Sequence, residues 1–149
     1  MLTPIPPDRP VRGERGSALM LMPAAVLIVL TLAAITVDTA IVHLGRRELV
    51  HAADAAANDA VTYGFDEQRF RRGEGYLLDE RRAREAVVSS LAARGLLDRL
   101  SAPPVVRFTA VDEVRVELHM EVDYLFARAL PGVRSATVEA HATAVARQR

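Results

Sequence analysis

SALMLMPAAVLIVLTLAAITV, residues 17–37, carries no charged side chain. At the ~1.5 Å rise of a helix it is ~30 Å long, about the hydrocarbon core of a bilayer. Lipid offers no hydrogen bonds, so a spanning segment satisfies its own backbone, and a helix is the form expected. Pro23 lies near the start of that helix, where few backbone bonds are lost. Two other readings of the run are a buried core helix and a cleavable signal peptide. A helix apolar on every face is unusual inside so small a chain. A signal peptide suits the preceding Arg9, Arg12 and Arg15 and a Thr-x-Ala site ending at Ala33. Its apolar run is ordinarily only ~7–15 residues, however.

Working outward, residues 1–16 hold Pro4, Pro6, Pro7 and Pro10 and read as an extended, solvated cytoplasmic tail. The three arginines before the run against Arg46 and Arg47 after it bias the N-terminus to the inside and residues 38–149 to the outside. Beyond Asp38 the helical pattern continues. Val42, Leu49, Ala53, Ala56 and Ala60 share one helix face, with Arg47, His51, Asp54 and Asn58 opposite. The spacing predicts one long helix from about Ser17 to Val61, half in lipid and half an amphipathic stem, with Gly64 as its stop. The stripe is mostly alanine, so it admits a close neighbour. The expected neighbour is the apolar side of a sheet, at residues such as Val116, Leu118 and Val138.

Residues 65–75 read as a solvated loop. Gly73-Glu74-Gly75 beside arginines lacks the spacing and the Lys-Ser/Thr of a phosphate-binding loop. Asp79 is placed to cap a second helix with Glu80 in its first turn. Its stripe is Ala83, Val87 and Leu91, broadened by Val88, and Gly95 interrupts it. Ser101-Ala102-Pro103-Pro104 breaks the chain. The period then changes to two. Val106, Phe108 and Ala110 alternate with polar neighbours, then Val114 through Tyr124, then Ala136 through Ala144. Asp112-Glu113 suggests a hairpin between the first two runs. Three antiparallel strands with one apolar face need a cover, which the stem and second helix supply. The fold class is therefore α+β: a transmembrane helix, an amphipathic stem, a second helix and a three-stranded antiparallel sheet, the plan of a pilin.

Composition narrows the function. The formal net charge of the 149 residues is zero, with no basic footprint for nucleic acid. Cysteine is absent, which excludes disulfides, thiolate metal sites and cysteine nucleophiles. His43 and His51 lie about 80° apart around a helix axis, and His119 and His141 fall on polar strand faces. Neither pair reads as a metal site, and no Ser-His-Asp constellation is legible. No catalytic residue, cofactor, metal or small-molecule substrate is expected.

Arg15-Gly16-Ser17-Ala18-Leu19, the run ending at Val37-Asp38, and Arg46-Arg47-Glu48-Leu49-Val50-His51-Ala52-Ala53-Asp54-Ala55-Ala56-Ala57 resemble the N-terminal module of TadE/TadG-like proteins. Tyr124-Leu125-Phe126-Ala127-Arg128 with Gly132, and Val138-Glu139-Ala140-His141-Ala142-Thr143-Ala144, resemble their closing strands. The resemblance implies a single-pass protein of a tight-adherence (Flp) pilus system, with the lipid bilayer and other pilus or secretion subunits as partners. It also makes Gly16-Ser17 a candidate prepilin-type processing site. Prepilin-like members keep a glutamate five residues beyond the cut glycine, and this chain has Leu21 there. The departure points to an assembly or minor component rather than the major pilin. A membrane-anchored binding or adhesion module without a pilus role and an extracytoplasmic enzyme are the other two classes.

Overall fold

The computed structural model describes residues 15–73, 75 and 77–146, with side chains from Leu21 onward within its first helix. Most of the proline-bearing tail lies outside the described residues. The first element is one unbroken helix, α1 (Arg15–Tyr63), with Pro23 inside it. It joins the apolar run to the stem. α1 ends at Gly64 as the spacing predicts, but for a different reason: Gly64 is not among the left-handed glycines. A Cβ there would sit 2.4 Å from the Ala60 carbonyl oxygen and 2.8 Å from Ala83 Cβ, so the missing side chain admits the helix that carries Ala83.

The stretch read as a solvated loop contains a short helix, α2 (Glu67–Arg71). The carboxylate of Asp66 accepts from the Gln68 and Arg69 N–H groups at 3.1 Å each, a capping signal that the loop reading passes over. α2 buries none of its residues. α3 (Glu80–Ala93) starts at Asp79, whose carboxylate accepts from Arg81 and Arg82 N–H at 2.9 and 3.1 Å. Those bonds, led by that of Arg82, hold the Asp79 carboxyl below its ordinary pKa. Ala83, Val87 and Leu91 are buried as the spacing predicts, together with Ser90. Val88 does not broaden that stripe; it faces outward, 46% exposed. α3 closes with a left-handed Gly95: Leu96 N–H donates to Leu91 O and Gly95 N–H to Ala92 O, which satisfies the last carbonyls.

The sheet runs β1 (Val105–Ala110), β2 (Glu113–Asp123) and β3 (Ser135–Val145), antiparallel and in that spatial order. β1 bulges between Phe108 and Ala110, and Ala110 ends exposed rather than inward. On the inner face, Val116 pairs with Ala142, Leu118 with Ala140 and Met120 with Val138. Large β2 side chains thus alternate across the strand gap with mostly small ones on β3, where α1 comes close. α1 lies over β2 and β3, and α3 lies beside it toward β1. Arg84 marks the α3–β1 contact: its Nη1 donates to Val106 O at 3.1 Å, and its guanidinium stands 5.2 Å from the Phe108 ring centre. One core therefore fills the space between a helical layer and one face of a three-stranded sheet. The fold is α+β, as the periodicities predict.

Candidate functional site

The junction where α1 leaves its apolar run holds the most unusual chemistry among the described residues. Asp38 directly follows that run and is buried. Its Oδ1 accepts from Leu125 N–H at 2.7 Å and Phe126 N–H at 3.0 Å, and its Oδ2 accepts from Ala127 N–H at 2.7 Å. These donors open a 3-10 turn (Ala127–Ala129) in the loop between β2 and β3. A carboxylate from a distant helix thus caps a turn that has no side-chain cap of its own. Burial alone would raise the Asp38 pKa. The three backbone donors outweigh it and hold the carboxyl below its ordinary value.

Above Asp38 the stem seats on the sheet. Val42 is half-buried, while Leu49, Ala53, Ala56 and Ala60 are buried. Ala52 and Ala57 are buried as well, so the apolar face is wider than the predicted stripe. Gly45 lies on that face too. A Cβ there would meet Val122 Cγ2 at 2.6 Å, so only glycine lets the helix cross β2 at this height. The signal for Asp38 and Gly45 is present in the chain: positions 38, 42, 45, 49, 52, 56 and 60 advance by three and four, and the charged one at 38 needs partners.

Side-chain ties complete the joint. Arg99, in a 3-10 turn (Leu97–Arg99), makes a two-pronged contact with Glu48, Nη1 to Oε1 at 2.6 Å and Nη2 to Oε2 at 3.0 Å. The Glu48 hydrogen bond pushes the Arg99 pKa up. The Ser90 hydroxyl donates to Asp59 Oδ2 at 2.6 Å and pins α3 to α1. That pair lines an open cleft of about 520 Å³ with Tyr63, Arg82 and Glu85. No histidine lines this cleft. His43 and His51 stay on the exposed side of α1. His119 and Glu139 face each other across strands at 3.8 Å on the outer sheet face, and His141 lies opposite Glu117 on that face. Among the described residues no three histidine, aspartate or glutamate side chains gather as metal ligands would. Gly16 and Ser17 lie in the first turn of α1, and Leu21 follows on an exposed surface.

The remaining feature is the lower half of α1. Leu27, Val29, Leu30 and Ile35 are all more than half exposed. Among the described residues α1 is the one helix long and apolar enough to cross a membrane. This helix, with the arginine-flanked glycine at its start and the alanine-rich stem, is what the family comparison recognises. Residues 16–62 match one family model. The matching family model is described as "Putative Flp pilus-assembly TadE/G-like". The matched segment covers the apolar run, Asp38, Gly45 and the alanine stripe, and stops at the end of α1. No curated protein and no solved structure was found to match the chain.

Proposed function

We propose that the protein is a non-catalytic structural or assembly component of a Flp-type pilus or a related secretion machine, of the minor-pilin or pseudopilin kind. In this reading residues 1–16 are a cytoplasmic tail, residues 17–37 span the membrane once, and residues 38–149 form an extracytoplasmic pilin-like head. The observation that carries it is a coincidence of boundaries. The TadE/G-like match ends where α1 ends, and α1 is built from an unpartnered apolar half and a half embedded in the head. Such a helix can meet lipid and the helices of neighbouring subunits at one end while holding a folded head at the other.

Leu21 stands where a polymerising pilin keeps its glutamate, so the chain acts in assembly and stays largely uncut at Gly16. Intact mass of the membrane-extracted protein tests this: a mature N-terminus at Ser17 in most molecules overturns it. Cross-linking in the native membrane followed by mass spectrometry tests the function. Recovery of pilin and secretion-platform proteins is the expected result. The second reading, a membrane-anchored binding or adhesion module, is favoured by the open cleft at Asp59, Tyr63 and Arg82. Recovery of an unrelated ligand without pilus subunits would establish it instead.

A further inference from the structure

We infer that the loop between β2 and β3, residues 124–134, is a second membrane contact: an apolar foot seated in the headgroup layer beside the span. The inference rests on the reading of residues 17–37 as membrane-spanning. Three observations carry it.

The first is height. Asp38 binds the backbone of Leu125, Phe126 and Ala127 directly. Asp38 is one residue, ~1.5 Å of helix rise, above the last residue of the apolar run. The polar layer outside the hydrocarbon is several ångströms thick on each side, so a loop held at Asp38 lies within it. The sheet is oriented to match. Gly45 abuts Val122 near the end of β2 that leads into this loop. The other end of the sheet carries the β1–β2 turn, where Val111 O accepts from Leu78 N–H, near the far end of α1.

The second is what the loop exposes. Leu125, Phe126, Leu130 and Val133 are exposed apolar side chains within nine residues, Leu130 the most at 60%. The β1–β2 turn at the opposite end exposes Val111. Apolar side chains gathered on a surface and rimmed by polar ones mark a contact with a partner or a membrane. Ile35 and Val37, three and one residues before Asp38 on the helix, are exposed apolar side chains as well, and a loop bound to Asp38 beside them favours the membrane.

The third is charge. Arg128 and Arg134 are exposed on the same loop, and an arginine at such a surface can reach phosphate groups with its head while its stem lies along apolar surface. Asp38, the buried carboxylate nearby, is already satisfied by backbone donors. Glu121 and Asp123 lie one step back on β2, away from the loop tip. A second fixed contact beside a single helix would stop the head from pivoting and set its tilt on the bilayer.

The chain has no cysteine, so single labels are unambiguous. Nitroxide labels on Leu130→Cys, Val133→Cys, Val111→Cys and Leu30→Cys are placed in the full-length protein. The variants are reconstituted into vesicles of phosphatidylcholine and phosphatidylglycerol, and collision rates with oxygen and with a water-soluble nickel chelate are compared. The expected result is oxygen-dominated collision at 30, a severalfold bias toward oxygen at 130 and 133, and the reverse at 111. An aqueous signal at 130 and 133 with a lipid signal at 30 overturns the foot and leaves the span intact. An aqueous signal at 30 removes the span and the foot with it. Protection of 130 and 133 from both reagents means that a second copy covers the loop, which also overturns the lipid contact.

Discussion

In the lower half of α1, Leu27 is 66% and Leu30 61% exposed, yet these are among the largest apolar side chains of the helix. In the upper half the buried side chains are Leu49 and a series of alanines, and Asn58 and His51 turn outward. One continuous helix thus follows two opposite rules. In water a helix hides its apolar face, and small side chains on that face let the sheet approach closely. In lipid there is nothing to hide from, so bulk and exposure go together. In the proposed membrane reading, the size of the apolar side chains, and not only their number, distinguishes the half in lipid from the half in the head. In the proposed reading the boundary falls at Asp38, the first charged residue after the apolar run. A substitution in one half, read out in both, tests that division.

The largest effect is expected in the upper half. Ala56→Arg places a long cation against the inner sheet face. Overpacking alone costs about 1–3 kcal/mol, and an unpaired buried charge adds several more. Small domains hold only about 5–15 kcal/mol in all. Limited proteolysis in detergent should therefore degrade the Ala56→Arg head readily, while Asn58→Arg on the outward face resists like the parent. Equal resistance of both variants would mean that the stem contributes nothing to the core. The Ala56→Arg variant should still pellet with membranes, since its lower half is untouched.

The converse change is Leu30→Arg. A cation near the centre of a span costs about 2.5–3.5 kcal/mol on insertion scales. Recovery of the full-length protein in the alkaline carbonate pellet should fall, with the head's protease resistance unchanged. A head that loosens in Leu30→Arg would show that the two halves are coupled and that the boundary at Asp38 is wrongly drawn.

Much of this is legible in the sequence, and particular residues show why. The apolar run, the alanine stripe and the strict alternation of β2 and β3 are signals of period, and period survives without tertiary information. Val88, Gly64 and α2 escape such a reading because each depends on a neighbour or on a short local cap. Val88 has the right chemistry for α3's stripe but sits on its edge and faces outward. Gly64 reads as a backbone stop, whereas the close approach of Ala83 is what a side chain there would obstruct. The role of Asp38 depends on a loop 87 to 89 residues away, a distance no local pattern spans.

Asp38 is where the comparison becomes pH-dependent. Its folded pKa lies below the ordinary 3.8. The folded state therefore binds fewer protons than the unfolded state in the window between the two values. The stability Asp38 contributes is fully present above about 3.8 and is lost as pH falls through the folded value. Asp38→Asn keeps one accepting oxygen but turns an N–H₂ toward a backbone donor. The gap in urea midpoint between parent and Asp38→Asn should be largest near neutral pH and shrink as pH drops below the ordinary carboxylate range. A gap that stays constant down to acid pH would mean that the carboxylate's charge plays no part in holding the loop.

The smallest effect belongs to the Glu48–Arg99 pair, which ties the upper half of α1 to the turn after α3. Its two short contacts suggest strength, but both side chains are about half exposed, at 44% and 52%. Water screens such a pair, and ordering two long side chains offsets part of the attraction. A double-mutant cycle with Glu48→Ala and Arg99→Ala should return a coupling of about 0.2–1 kcal/mol, toward the upper end because the guanidinium meets both carboxylate oxygens. The coupling should shrink in added salt. A salt-insensitive coupling of several kcal/mol would place the pair in a drier environment than the head alone provides. That would imply that a partner subunit covers the groove between α1 and the end of β2, at Leu44 and Glu121, and would extend the contact surface from the lower half of the helix into the upper.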